Sequence, residues 1–240
     1  LKRCREMEVQ KIFAVGTSAL REAKNSDYFL KRVKEEFDLS IDVISGEEEA
    51  RLSFLSVARD SKKSRKNLLV VDVGGGSTEL ILGKGDEIIR WVSLPLGIVR
   101  FTERLLLSDP VKEKEYRTMV EEIRKQLPNF PISKNPLFMV SIGGTGTALA
   151  SVEQRLEKFI IERIHRFVLT REALRNQLSL YRSKTTEERK EIKGLPPSRA
   201  DVILAGGTIL YLIMEKFDCS FLMVSSHGVR YSLLYEKLNL

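Results

Sequence analysis

Apolar residues along this chain fall into two kinds of segment, short continuous runs and recurrences at three and four, and the two kinds alternate. Residues 11–15 and 41–44 are strand-like runs. Between them lie a short helical stretch to Ala23 and a helix capped by Asn25 or Ser26, whose apolar positions are Phe29, Leu30, Val33 and Phe37. A further helix is predicted from Ser45 to about Arg59, followed by a polar, basic loop over residues 60–67. Residues 68–71 form a buried strand, and residues 80–82 and 87–92 pair as a hairpin around Gly83-Lys84-Gly85. Helices follow to Leu107 and from Asp109-Pro110, the second burying Tyr116, Met119, Val120, Ile123 and Leu127 before Pro128 and Pro131 stop it. The last strands are residues 137–142 and 221–224. They flank caps at Thr170 and Thr185 and a long apolar helix, residues 198–216, interrupted by Gly206 and Gly207. Strand and helix taking turns indicates an α/β fold.

The pattern breaks most sharply between two buried runs, where Asp72 is followed by Gly74, Gly75, Gly76, Ser77, Thr78 and Glu79. Glycines let backbone N–H groups converge on one concavity with no Cβ in the way, and such a nest binds phosphate. A carboxylate on either side, Asp72 and Glu79, could hold a hard cation against that phosphate, directly or through water. A second break, Gly143-Gly144-Thr145, joins a strand to a helix, and unpaired amides at a helix start favour anions. Either could also be only a tight turn.

Two charged positions carry similar alternatives. Arg21 could grip two phosphate oxygens with its planar guanidinium, or be an ordinary exposed helix charge. Ser45 and Glu48 have the spacing of a capping box, in which Glu48 would only fold back on the Ser45 amide.

Composition narrows the class. The 240 residues suffice for one large or two smaller domains, and no apolar stretch reaches membrane-span length, so a soluble protein without membrane association is expected. Cys4 and Cys219 are too few for a disulfide framework or zinc site, which points to a reducing cytoplasm. The net charge is +7, and residues 153–199 hold 12 Lys/Arg against 7 Asp/Glu. That surplus suits polyanions or a merely solvated helical surface; no sequence-specific nucleic-acid motif accompanies it.

Asp72 to Glu79 resembles the signature of the exopolyphosphatase and guanosine pentaphosphate phosphohydrolase family, within the actin, sugar kinase and Hsp70 superfamily. The segments around Arg21, Glu48, Gly143 to Thr147 and Arg199 to Asp201 match the same family in order. The resemblance implies a duplicated actin-like, ribonuclease H-like fold with an interlobe phosphate cleft. Residues 1–53 would be the rear of a first lobe, residues 54–227 the second, and the terminal helix would return to the first. No Asp-x-Gly-Ser loop precedes Leu1, so the first lobe is expected to be incomplete. The implied reaction is Mg²⁺-dependent release of orthophosphate from inorganic polyphosphate or guanosine pentaphosphate. Glu48 would be the base, Asp72 and Glu79 the metal carboxylates, and Arg21, Gly74, Gly75, Gly76, Ser77, Thr78, Gly143, Gly144 and Thr145 the phosphate cradle. A homodimer is left open. A non-catalytic polyphosphate or alarmone sensor is the alternative; a kinase is disfavoured by the Ser-Gly-x-Glu-Glu context. The residues at 227 and 231–232, His, Tyr and Ser, depart from the family pattern.

Overall fold

A computed structural model describes residues 1–59, 67–128 and 137–238. The expected loop over residues 60–67 therefore lies almost wholly outside the described residues, as does Pro131.

The chain opens with α1 (Lys2–Glu6), β1 (Ala14–Gly16), α2 (Ser18–Glu22), α3 (Ser26–Phe37) and β2 (Ile41–Val43). β1 and β2 pair in parallel as a two-stranded sheet. The strand expected at 11–15 forms later, from Ala14, because its partner is Ile41 onward and pairing rather than apolarity sets its ends. Two strands offer one narrow face, so Ile12, Phe29, Phe37 and Val43 remain substantially exposed.

Helix α4 (Gly46–Ala58) leads into β3 (Asn67–Val73), β4 (Thr78–Lys84) and β5 (Glu87–Leu94). Then come α5 (Ile98–Leu105), α6 (Glu113–Gln126), β6 (Leu137–Ile142), α7 (Gly143–Glu153), α8 (Ile161–Ile164), β7 (Phe167–Thr170), α9 (Arg171–Arg182) and α10 (Thr186–Lys190). A 3-10 turn at Pro197–Arg199 precedes α11 (Ile203–Lys216), β8 (Phe221–Val224) and α12 (Val229–Lys237). Six strands form one mixed sheet in the order β5-β4-β3-β6-β8-β7, with β3, β6 and β8 parallel at its centre.

Residues 68–71 are uniformly apolar because both faces of this sheet are covered. Leu69 and Val71 join a core with α5, α6, α7, α9 and α11, while Leu68 and Val70 point the other way onto Ala50, Phe54 and Val57 of α4. Helix α4 runs unbroken through residue 53 and packs on the large sheet, so the expected domain boundary falls inside it. Helix α12 lies against α4, held by Arg51 donating to both carboxylate oxygens of Glu236 and by Arg59 over the Tyr235 ring.

Asp109-Pro110 does not start α6. The peptide is cis, and Asp109 accepts from the Thr186 amide at 2.8 Å, while the helix begins at Glu113 with Glu115 reaching back to Ser108. Thr170 and Thr185 do cap their helices, and Gly206 and Gly207 lie where α11 meets Thr145, Ile98 and Leu178. Among the described residues no helix is long and apolar enough to cross a membrane. Much of the basic surplus in residues 153–199 is internally engaged: Arg171, Arg175, Arg182, Lys190 and Lys193 form ion pairs, and Arg189 is buried beneath Tyr181 and Ala200.

Candidate functional site

Both glycine turns leave neighbouring strands at the same end of the sheet, since β3 and β6 run parallel with Asp72 beside Ile142. The first turn is closed by the Gly74 amide donating to the Ser77 carbonyl at 2.9 Å. Gly75 and Gly76 are exposed at its tip. The N–H groups of Gly75, Gly76 and Ser77 meet no protein acceptor among the described residues. Gly143 opens α7 with φ +81°, a conformation that only glycine takes without strain, so the first amides of α7 are aimed out of the strand end without intrahelical partners. The Thr145 hydroxyl donates to the Val73 carbonyl at 3.1 Å, which locks the second turn to the end of β3.

Strand parity determines what faces these turns. Val70, Asp72, Ile81 and Glu79 point to the α4 side, and Asp72 and Glu79 are direct cross-strand partners. Two carboxylates therefore stand side by side. Ser77 and Ser93 both donate to Oε1 of Glu79 at 2.8 Å, leaving Oε2 with no hydrogen bond among the described residues. Burial, then the charges of Glu79 and Glu49, push Asp72 up to about 7; burial chiefly raises Glu79 as well.

Glu49, absent from the sequence-based site, is thus the α4 carboxylate that both strand acids feel. It accepts from Arg21 at 2.8 Å, and the same Arg21 nitrogen donates to the Ile44 carbonyl at 2.9 Å. Arg21 is accordingly held beside Glu49, and its charge also reaches Glu79.

Glu48 turns elsewhere. Its two oxygens accept from Arg51 at 2.8 Å each, on the side where Arg51 also grips Glu236 of α12, and those Arg51 hydrogen bonds hold its carboxyl below the usual range. Ser45 caps the helix by accepting from the Glu48 amide at 3.0 Å, but the return half of a capping box does not form. At roughly 100° per residue Glu48 and Glu49 point in different directions, and Glu48 points away from Ala50, Phe54 and Val57, which pack on the sheet.

Thr78 is fully buried, its hydroxyl donating to the Leu96 carbonyl at 2.5 Å, so its side chain braces the first turn from beneath. A further cation was missed. The guanidinium of Arg199 packs against Gly144, in the space that any side chain at 144 would need. No periodicity marks Arg199; only the approach of the 3-10 turn to α7 brings it in. His227 is stacked between His165 and Tyr231, with ring centroids 4.2 and 3.9 Å apart.

Among the described residues no three His, Cys, Asp or Glu side chains are arranged as a metal cage. The pair Asp72 and Glu79 nevertheless suits a cation that keeps much of its water. Both are hard oxygen donors, neither is neutralised by a direct ion pair among the described residues, and Asp72 is costly to ionise without a counterion.

Compared with known proteins, residues 1–240 match the Ppx/GppA phosphatase family. The chain is 36% identical over 231 residues to a bifunctional 3-dehydroquinate synthase/phosphatase of Fusobacterium nucleatum, covering 92% of this chain and 34% of that protein. It is 30% identical to a guanosine-5′-triphosphate,3′-diphosphate pyrophosphatase of Photobacterium profundum, covering 99% of this chain and 47% of that protein. The chain thus spans between a third and a half of the length of these relatives. Among solved structures, the Aquifex aeolicus PPX-GPPA enzyme superposes with a TM-score of 0.84 at 37% identity, covering 98% of this chain and 78% of that one.

Proposed function

This chain belongs to the Ppx/GppA phosphatase family, and from that premise we propose that it carries the reaction centre of a phosphohydrolase releasing terminal orthophosphate from inorganic polyphosphate or from the 5′ end of guanosine pentaphosphate. The observation that carries the reading is the meeting of Asp72, Glu79 and Glu49 in one electrostatic pocket, with Arg21, beneath two glycine turns.

Phosphoryl transfer asks a protein for positioning and charge neutralisation more than covalent help. Here the amides of Gly75, Gly76 and Ser77 receive oxygens of the terminal phosphate from one side, and those of Gly144 and Thr145 at the start of α7 receive them from the other. Arg21 and Arg199 are the cations that answer the remaining charge. Water attacks the terminal phosphorus, the bond to the bridging oxygen breaks, and the chain shortened by one phosphate departs with that oxygen. Glu49 orients the water and takes its proton. We assign this role to Glu49 rather than Glu48, because Glu49 is the α4 carboxylate whose charge reaches Asp72 and Glu79 and gives only Oε2 to Arg21, whereas Glu48 gives both oxygens to Arg51. Mg²⁺ held by Asp72 and Glu79 would supply Lewis-acid charge neutralisation. Neutralising that pair would also let Asp72 remain ionised at physiological pH.

The test is phosphate release from both substrates, with Mg²⁺ present and chelated. Glu49→Gln should lose about 10²-fold or more, as removal of a general base does. Glu48→Gln should stay within a few-fold of the parent. Equal activity of Glu49→Gln and the parent overturns the assignment. Tight substrate binding with no release by the parent replaces it with the sensor reading.

A further inference from the structure

A cavity of about 740 Å³ opens beside the tip of the first turn. Its walls are Ala19 of α2, Gly75 and Gly76, and the α5 residues Val99, Arg100, Glu103 and Arg104. Positions 99, 100, 103 and 104 are one face of a helix. That face is held rigidly against the phosphate turn. The Ile98 amide donates to the Gly74 carbonyl and the Val99 amide to the Gly75 carbonyl, both at 3.0 Å, Gly97 presses directly on the backbone of Gly75 and Gly76, and Phe101 anchors the opposite face in the core.

The two arginines of this wall differ. Arg104 is engaged, paired with Glu122 and lying over the Phe101 ring at 5.4 Å. Arg100 is exposed and makes no ion pair or hydrogen bond among the described residues. Glu103 is the opposing charge on this face, so an anion is favoured at the Arg100 end and disfavoured towards Glu103. A terminal phosphate seated on Gly75, Gly76 and Ser77 would leave the rest of its chain to exit somewhere, and this cavity adjoins Gly75 and Gly76.

We propose that Arg100, backed by Arg104, forms a second anion subsite that grips the phosphates immediately behind the one being cleaved. The proposal rests on the phosphohydrolase reading and adds a specificity-determining residue to it. The ligand chemistry is a linear run of phosphates, which an inorganic polyphosphate or the 5′ triphosphate of a nucleotide could supply. The subsite contributes to binding equally in ground and transition states, so it should act on KM rather than kcat.

The experiment compares the parent, Arg100→Gln and Arg100→Lys in phosphate release from long-chain polyphosphate and from guanosine pentaphosphate. Arg100→Gln should raise KM about tenfold, as loss of one charge-assisted hydrogen bond does, with kcat within about twofold. Arg100→Lys should recover part of the loss, and the salt dependence of kcat/KM should weaken in Arg100→Gln. A rise in KM for polyphosphate alone assigns the subsite to the inorganic chain, and a rise for both assigns it to the shared triphosphate. Unchanged KM for both substrates at low salt overturns the proposal. If the parent releases no phosphate, the phosphohydrolase reading fails separately. Calorimetric binding of tripolyphosphate then decides the subsite, which requires about tenfold weaker binding by Arg100→Gln.

Discussion

Replacing Asp72 by Asn should make the protein more stable and less active. In the metal-free fold Asp72 accepts no hydrogen bond among the described residues, and its value of about 7 lies some three units above the ordinary 3.8. At 1.36 kcal/mol per unit, keeping it ionised costs the folded state up to about 4 kcal/mol. The sign follows from proton binding. Between pH 3.8 and 7 the folded protein holds a proton that the unfolded chain has released, so the stability of the parent falls as pH rises through this window and levels off above 7. Asn has no proton to lose, and its amide could donate to Glu49 or Glu79. Relative to the parent, Asp72→Asn should therefore gain little at pH 4, more at pH 5, and most at pH 8, where the gain is at most on the order of 4 kcal/mol. Water entering the cleft lowers each gain without changing their order. Urea unfolding of both proteins at these three pH values, in chelator, measures the differences. Adding Mg²⁺ at pH 8 should then stabilise the parent and leave Asp72→Asn unmoved, because a cation that binds only the folded state adds its binding free energy to stability. A variant that is no more stable than the parent at pH 8, or whose advantage does not grow between pH 5 and pH 8, would refute the claim that Asp72 is a carboxylate held at a cost.

Gly97→Ala places a methyl group against the backbone of Gly75 and Gly76, which cannot give way as a flexible side chain would. It should cost about 1–3 kcal/mol in chemical denaturation and weaken phosphate binding with it. Arg51→Met leaves Glu48 and Glu236 facing each other without their shared cation. This site is partly exposed, so the loss should be no more than about 1 kcal/mol, and amide exchange should speed up in α12 before it does in β3 or β6.

The strand into Asp72, the glycine turn, the hairpin and the strand from 137 to 142 were all legible in the chain, because each is specified by its own residues. An apolar run, a glycine-rich break after it and a short polar interval act over a few positions and need no partner. The caps at Thr170 and Thr185 were legible for the same reason. The start of β1 was not, since a strand ends where its neighbour does, and neither was Asp109, whose carboxylate serves the α10 amide of Thr186 instead of its own helix.

At the site, sequence alone settled the chemistry of the pieces: two carboxylates seven positions apart, two glycine turns, and an arginine fit for phosphate. Only the tertiary structure decided which pieces meet. Pairing of β3 with β4 put Asp72 and Glu79 side by side, and the packing of α4 on that face turned Glu49 towards them and Glu48 away to Arg51. The close approach of Pro197–Arg199 to Gly144 brought in Arg199. Adjacent positions on a helix differ by about 100° in direction, so which of two neighbouring glutamates faces a cleft is a property of the surface the helix rests on.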